Sequence, residues 1–249
     1  MFKRNWREQT PHIGHESAIA WILMTADYDE SWQGEPSILK AIEAIARQAV
    51  QGRKQSDDHA HDDMEQLYYI LSGSGVIRID DVERDVREGD VIYLPPTVKH
   101  QFINNTEDWA EFLIISCMVD DASPSEAVIL NWRNQPPFVG HESAIIWAMF
   151  RARETNPGHG EIPCLRTLSG FTRHAMQGGK NSDYHAHKDI EQIYYMLNGQ
   201  VTLRVNDEEH PLVEGDIVQL VPGDWHQVIN EGDNWGEYLI FSAEMKRDA

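Results

Sequence analysis

The 249-residue sequence predicts an all-β protein built from two copies of one small barrel or sandwich. Two observations support this prediction. Residues 5–116 align with the chain 126 positions further on, without an insertion or deletion. Each copy also consists of short apolar segments separated by turns rich in Gly, Asp, Asn and Pro, a pattern typical of β-sandwiches and barrels.

The duplication sets the expected domain division. The segment from Asp120 to Ser125 is polar and contains Pro124, so we predict one domain over 1–124 and a second over 125–249. Domains of about 125 residues are of ordinary size. We expect the two barrels to pair within the chain as a pseudo-two-fold dimer, with residues 14–21 and 140–147 crossing or lining their contact. The sequence leaves open whether the chain also forms a homodimer.

The first predicted strand, over residues 38–48, depends on comparison of the copies. This segment contains good helix formers, and a short helix is the alternative. Its counterpart at 164–174 contains Thr and Phe, which favour strand. Because one fold must accommodate both copies, we predict a strand in each.

Further strands follow in order along each copy. Residues 76–79 and 203–205 are short predicted strands that lead into Asp-Asp and Asn-Asp turns. The next strands of the first copy are predicted at 91–94 and 100–104. Both recur 126 residues later.

A histidine-rich stretch carries the chemistry of each copy. His59 and His61 share one face of a strand, because side chains alternate, and Glu65 can rejoin that face. His100 follows 41 residues after His59. Imidazole and carboxylate groups suit Mn, Fe, Co, Ni, Cu or Zn, and four protein ligands leave coordination positions open, as a catalytic metal needs. The same pattern recurs as His185, His187, Glu191 and His226.

These stretches resemble the first motif of the cupin superfamily, G(X)5HXH(X)3–4E(X)6G. The second copy is similar to it from Gly179 to Gly199, and the first from Gly52 to Gly73 with one extra residue before His59. In both copies seven residues, rather than six, separate the Glu from the closing Gly.

The second cupin motif, G(X)5PXG(X)2H(X)3N, also has similar stretches in both copies. In the first, Thr97 stands where the motif has Gly. In the second, Val221 stands where the first copy has Pro95. The residues similar to the motif are Gly89, Pro95, His100 and Asn104, then Gly215, Pro222, Gly223, His226 and Asn230.

The resemblance implies a bicupin: two tandem jelly-roll β-barrels, each with one divalent transition metal. Carried over, the ligands are His59, His61, Glu65 and His100 in the first copy, and His185, His187, Glu191 and His226 in the second. Cupins include dioxygenases, decarboxylases, isomerases and non-catalytic binding proteins, so the fold alone does not fix the function.

Strand parity predicts residues near each metal. Counted from the first histidine, Gln51 and Gln177 face the metal and could orient a ligand or a bound water. Counted from the Glu, Tyr69 and Tyr195 point inward, where a phenol could donate a proton or bind a substrate oxygen. The alternative for both tyrosines is that they fill the barrel core.

The composition of the chain argues against some classes of binding partner. The net charge of −20 argues against nucleic acid and anionic membranes, and no apolar run is long enough to span a membrane. Cys117 and Cys164 are not repeat equivalents, so we predict free thiols. The sequence has no signal-peptide pattern, so we expect a cytoplasmic protein that acts on a small molecule.

Three function classes fit this sequence. A dioxygenase-type oxidoreductase is favoured, because open metal positions could accommodate both substrate and dioxygen. A non-redox isomerase, decarboxylase or lyase acting on a sugar acid or hydroxy-acid is the first alternative, and a non-catalytic small-molecule binding protein is the second.

The residues that flank the ligands differ between the copies, including Lys99 against Trp225 and Asp58 against Tyr184. We therefore hypothesise that only one copy is the main catalytic site. The sequence does not indicate which.

Overall fold

The computed structural model describes residues 1–26 and 38–245 and confirms the all-β prediction. The chain divides into two compact units. The N-terminal unit comprises residues 9–134, and the C-terminal unit comprises residues 1–8 together with 135–249. No helix among the described residues is long and apolar enough to cross a membrane.

The N-terminal unit is a jelly-roll barrel of two sheets. Its strands are β2 (His12–Gly14), β3 (Ala18–Thr25), β4 (Ala44–Val50), β5 (Met64–Ser72), β6 (Ser74–Ile79), β7 (Val82–Arg87), β8 (Asp90–Leu94), β9 (His100–Ile103), β10 (Ala110–Met118) and β11 (Val128–Asn131). A seven-stranded sheet runs β11-β8-β5-β10-β4-β3-β2, and a three-stranded sheet runs β7-β6-β9. Apolar side chains from both sheets, such as Tyr68 and Phe102, form one core between them.

The C-terminal unit repeats this plan. Its strands are β1 (Phe2–Asn5), β12 (Phe138–Gly140), β13 (Ala144–Ala152), β14 (Ile162–Leu165), β15 (Leu168–Met176), β16 (Lys180–Asn181), β17 (Ile190–Asn198), β18 (Gln200–Val205), β19 (Glu208–Val213), β20 (Asp216–Leu220), β21 (His226–Asn230) and β22 (Gly236–Glu244). The larger sheet runs β1-β20-β17-β22-β15-β13-β12, with β14 beside β13, and the smaller runs β16-β21-β18-β19. Short 3-10 helices follow β1 at Trp6–Glu8 and β11 at Trp132–Asn134.

The structural units differ from the predicted division at residue 124. Strand β1 pairs with β20, so the first residues of the chain complete the C-terminal sheet. Strand β11 pairs with β8 and completes the N-terminal sheet. Asn5 donates a hydrogen bond to Asp216 at 2.8 Å, and Asn131 donates one to Asp90 at 2.7 Å. An Asn-Trp-Arg sequence, at residues 5–7 and again at 131–133, spans the end of each of these strands and the start of the short helix that follows.

The ambiguous first segment forms a strand, as predicted, although it starts later in the first copy. Strand β4 begins at Ala44, and its counterpart β15 covers most of the matching residues. In the sheet, β4 pairs with β10 and β15 pairs with β22. Strands β10 and β22 in turn lie beside β5 and β17, the strands that follow the histidine pairs. Tertiary pairing thus overrides the local helix preference.

Steric constraints require glycine at the position that closes each histidine motif. Gly73 and Gly199 have φ values of 77° and 73°, which glycine adopts without penalty. A Cβ at either position would collide with a backbone carbonyl, that of Trp109 or Trp235. A larger residue at either position would therefore be both strained and in collision with the neighbouring strand.

Candidate metal centres

Backbone pairing brings the distant histidine to the first one. The amide of His59 donates to the carbonyl of His100 at 3.1 Å, and the amide of His100 donates back at 2.8 Å. In the C-terminal unit His185 and His226 exchange the same two bonds, at 3.1 and 2.7 Å. Ligands far apart in sequence are therefore held together by main-chain geometry.

Second hydrogen bonds set the direction of these imidazoles. His100 Nδ1 lies 3.0 Å from the carbonyl of Val98, and His226 Nδ1 lies 2.9 Å from the carbonyl of Asp224. Since a carbonyl only accepts, Nδ1 carries the proton in each ring and Nε2 keeps its lone pair. His59 has a longer contact of the same kind, 3.3 Å to the carbonyl of Asp57. This arrangement prepares Nε2 to bind a metal.

The lone-pair nitrogens converge in each unit. One group is His59, His61 and His100, and the other is His185, His187 and His226; within each, the potential ligand atoms lie within 4.8 Å of one another. In the described part of the chain, five of these Nε2 atoms are buried without a hydrogen-bond partner, those of His59, His61, His100, His187 and His226. A buried polar atom left unpaired costs about 1–3 kcal/mol, so a cluster of them requires an explanation, which a bound cation supplies.

The predicted carboxylate ligands, Glu65 and Glu191, are not part of the two histidine clusters. In β5 the side chain of Tyr68 packs against His100, so even-numbered residues face the histidines and Glu65 points to the opposite face. Glu191 accepts a hydrogen bond from Gln219 at 2.6 Å on that same opposite face of the C-terminal sheet.

The side chains that replace them are Gln66 and Gln192. Nε2 of Gln66 donates to the hydroxyl of Ser116 at 3.0 Å, which leaves the amide oxygen for another partner. The Oε1 atoms of both glutamines are buried and have no partner among the described residues. Six residues separate each glutamine from the closing glycine, so the apparent extra residue in the sequence motif disappears when the ligand position is counted from Gln. An amide oxygen is an acceptable, uncharged metal donor.

The predicted tyrosines are also one position out of register. Tyr69 and Tyr195 lie in the core on the face away from the histidines, whereas Tyr68 and Tyr194 face them. Tyr194 lies 6.1 Å from His226, measured between ring centroids. Burial raises the pKa of both inward phenols, so they remain neutral at physiological pH.

Gln51 and Gln177 are exposed and sit in the turns that follow β4 and β15. Gln177 is not among the residues that line the cavity described below. The strand is interrupted between residues 51 and 63, so side-chain parity cannot be counted across it.

Each ligand set has a histidine stacked on its outer side. His15 lies parallel to His59 with ring centroids 5.0 Å apart, and its Nδ1 donates to Asp57 at 2.7 Å. In the C-terminal unit His141 stacks on His185 at 4.8 Å and donates to Asp183 at 2.8 Å. Burial would raise the pKa of each aspartate, but hydrogen bonds and the nearby imidazoles hold it below its ordinary value.

Strained backbone holds this outer histidine. His15 and Glu16 have φ values of 44° and 63°, and His141 and Glu142 have 46° and 64°. Left-handed conformations cost L-residues about 1–2 kcal/mol each. Two consecutive strained residues in both copies indicate that the position of the ring is worth that cost.

Burial keeps the ligands neutral. It lowers the pKa of His100 and of His226 to about 4, and it also lowers the pKa of His61 and His187. Neutral imidazole is the form that binds metal, so the sites are competent at neutral pH.

The C-terminal ligands open into a cavity of about 390 Å³. His187 and Gln192 form part of its wall, together with His174 and Arg151. This volume lies within the range of small-molecule sites, about 300–1,000 Å³. The remaining lining residues are Phe138, Gly140, His141, Ile146, Ala152, Thr155, Ser169, Gly170, Thr172, Ile190, Ile240, Ser242 and Glu244.

His174 is a buried polar group that sequence reasoning missed. The hydroxyl of Thr172 donates to the carbonyl of Ile240 at 3.2 Å, so it accepts from His174 Nε2 at 2.9 Å. The proton is therefore on Nε2, and Nδ1 is an acceptor. Burial lowers the pKa of His174 to about 3. Gln48 occupies the matching position of the N-terminal unit.

Comparison with known proteins assigns the family. The cupin domain family matches residues 46–116 and 172–241, so the chain belongs to the cupins, and it carries the domain twice. This confirms the resemblance seen in the sequence motifs.

Solved structures show the same bicupin architecture. Protein YlbA from Escherichia coli is 15% identical with a TM-score of 0.70, and the match covers 99% of this chain and 91% of that one. A Bacillus subtilis oxalate decarboxylase is 16% identical with a TM-score of 0.72, covering 98% and 77%. The E. coli pirin YhhW, solved with nickel(II), is 15% identical with a TM-score of 0.74, covering 98% and 99%. At these identities the likeness shows the fold alone.

A sequence relative gives a shorter match. An uncharacterised protein of Methanocaldococcus jannaschii is 34% identical over 70 residues, which is 28% of this chain. The match spans 56% of that relative's length.

Proposed function

We propose that the chain is a metal-dependent enzyme that acts on a small organic molecule, with one divalent transition metal in each unit. The observation that carries this proposal is the convergence of buried, unpartnered donor atoms. Three imidazole nitrogens and one amide oxygen would hold the ion in the N-terminal unit, from His59, His61, His100 and Gln66. In the C-terminal unit the donors would be His185, His187, His226 and Gln192.

The uncharged ligands shape the chemistry of such a site. Neutral histidines and an amide leave the full charge of a divalent cation in the pocket, whereas a carboxylate would offset part of it. The bound ion would supply Lewis acidity, polarising a substrate oxygen. This donor set favours the non-redox class, an isomerase, decarboxylase or lyase acting on a hydroxy-acid or related oxygen-rich substrate.

The C-terminal cavity is the better candidate for the catalytic pocket. The hydroxyl of Thr172 and the imidazole of His174 supply hydrogen-bonding groups beside the ligand residues, where the N-terminal unit has Ala46 and Gln48. With Nε2 protonated, His174 can accept a hydrogen bond from a substrate hydroxyl through Nδ1. Apolar residues such as Ile190 and Ile240 in the wall limit water around the bound molecule.

A dioxygenase-type oxidoreductase is the second candidate. Four protein donors leave one or two coordination positions, enough for a substrate oxygen and dioxygen together. A redox-active metal is required for this reaction, and any divalent transition metal can serve the first candidate.

Elemental analysis of protein purified without added metal, followed by activity screens in air and under argon, tests the proposal. We expect one enriched metal and turnover of a hydroxy-acid or sugar acid that is equal in both atmospheres. Turnover only in air, with dioxygen consumed, would establish the second candidate. Protein that binds none of the six candidate metals and turns over nothing would contradict both.

The assignment to one unit needs a paired test. His187→Ala should abolish turnover, with a loss of at least about 100-fold, whereas His61→Ala should retain most of it. Equal loss in the two variants, with both folded, would contradict the C-terminal assignment.

A further inference from the structure

An arginine, Arg151, lines the C-terminal cavity. Arg151 is the next-to-last residue of β13. It lines the same cavity as His187 and Gln192. Thr25 occupies the matching position in the N-terminal unit. Among the described residues that line the cavity, Arg151 alone carries a fixed positive charge.

A buried carboxylate orients this arginine. Glu161 has a side chain only 3% exposed, and its Oε1 accepts a hydrogen bond from Arg151 Nε at 3.2 Å. The same carboxylate accepts from the backbone amides of Gly158 and His159, at 3.2 and 2.7 Å. Although burial acts to raise the pKa of Glu161, these hydrogen bonds keep it lowered, so the carboxylate stays ionised.

The loop that carries Glu161 is itself packed against the cavity wall. The ring of His159 stacks on Phe138, with centroids 3.7 Å apart and planes 12° from parallel. Phe138 is a lining residue of the cavity. The loop, the carboxylate and the guanidinium therefore form one connected support, which fixes the direction of the arginine before any ligand binds.

The outer edge of the guanidinium remains available. The bond from Nε to Glu161 uses one of its five N–H groups, and within residues 1–26 and 38–245 no partner engages the Nη atoms. A guanidinium with its terminal N–H groups free matches the two oxygens of a carboxylate. Glu244 also lines the cavity and opposes an anion, but it is exposed, so water screens its charge.

We infer that the C-terminal cavity binds a small organic acid whose carboxylate pairs with Arg151 while a second oxygen function, such as another carboxylate, lies toward His187 and Gln192. This inference rests on the proposed function for its metal-side contact, and it names the substrate class of that site. The N-terminal unit, with Thr25, does not share this selectivity.

Calorimetric titration of the metal-loaded full-length chain with malonate, succinate and acetate tests the inference. We expect the better-fitting dicarboxylate to bind at least about tenfold more tightly than acetate, because it makes two charged contacts. Arg151→Gln should lose at least tenfold in dicarboxylate affinity, and Arg151→Lys should recover only part of it, because lysine lacks the planar fork.

Arg153→Gln is the matched control. Arg153 is a nearby arginine paired with the exposed Glu154, so its loss changes net charge equally but should leave dicarboxylate affinity unchanged. Thermal unfolding of each variant confirms that it is folded. Equal dicarboxylate affinity in wild type and Arg151→Gln, or no binding of either dicarboxylate to wild type at millimolar concentration, would overturn the inference.

The same titration on chelator-treated protein separates this inference from the proposed function. If dicarboxylate binding depends on Arg151 but not on any metal, the arginine site stands and the metal-dependent function fails. If the chain binds metal and turns over a substrate while Arg151→Gln has no effect on dicarboxylate affinity, the function stands and the arginine site fails.

Discussion

The two units contain similar histidine clusters, but the residues around the clusters differ. Ring centroids of His59 and His100 lie 4.4 Å apart, and those of His185 and His226 also lie 4.4 Å apart. Around these rings, however, the C-terminal unit has Arg151 where the N-terminal unit has Thr25. The duplication has therefore kept the histidine clusters in both copies, while neighbouring positions have diverged.

The fourth donor gives the largest expected effect on metal binding. Gln66→Ala and Gln192→Ala should each weaken binding at their own centre by about 100-fold, because a direct donor exceeds the 10–100-fold effect of outer-shell groups. Competition with a chromophoric chelator measures this affinity.

The matched controls are the neighbouring carboxylates. Glu65→Gln and Glu191→Gln preserve the shape of the side chain and change only the face of the sheet that points away from the histidines. Metal affinity should therefore change less than threefold. A large loss in the Glu variants, together with no loss in the Gln variants, would show that the carboxylates are the ligands after all.

The stacked histidines should have a smaller effect, equal in the two units. His15→Ala and His141→Ala remove the donor to Asp57 or Asp183, and we expect about a tenfold loss of affinity at the adjacent centre. Cobalt(II) substitution provides the measurement, since its visible spectrum reports ligand geometry. Partial recovery in His15→Gln, which keeps a hydrogen-bond donor, would distinguish orientation of the aspartate from simple packing; an unchanged spectrum in His15→Ala would contradict the role.

Acid sensitivity of the fold should also distinguish the two units. His174 has its pKa lowered to about 3 in the folded state, against an ordinary value near 6.5, so the unfolded chain binds a proton that the folded chain does not. Stability from this difference is present above about pH 6.5 and is lost as the pH falls toward 3. At pH 5 the loss is about 2 kcal/mol.

The variant His174→Gln, which copies Gln48 of the other unit, should remove this loss. Urea unfolding of metal-free wild type and variant at pH 7 and pH 5 measures it. An equal acid-induced loss of the free energy of unfolding in both proteins would contradict the assignment.

The sequence allowed most of the fold and six of the eight proposed ligands to be predicted. The 126-residue repeat and the strand-and-turn pattern were sufficient for two β-barrels, and the spacing of His59, His61 and His100 was sufficient for the histidines. Such features are local or repeated, so they can be read without the tertiary structure.

The failures share one physical cause. Faces were counted along the chain from His59 and His61, but residues 60–63 lie outside any strand, and alternation resumes in β5 with a different parity. Glu65, Tyr69 and their counterparts were placed inward for this reason. The six-residue spacing from Gln66 to Gly73 was the signal that could have corrected the ligand.

His174 and Arg151 were missed for a different reason. Each is a residue that the other copy does not share, so the repeat comparison that revealed the ligands passed over them. Their significance depends on the shape of the cavity and on the loop that carries Glu161, which no sequence pattern encodes.

The most direct test of the account is the number of metal ions per chain. Elemental analysis of wild type, His61→Ala and His187→Ala should give close to two, one and one, because each unit assembles its own donors and loses its ion when one is removed. A wild-type value of one that His61→Ala abolishes and His187→Ala leaves untouched would contradict the claim that both units bind metal. A stoichiometry that neither substitution changes would contradict the site itself.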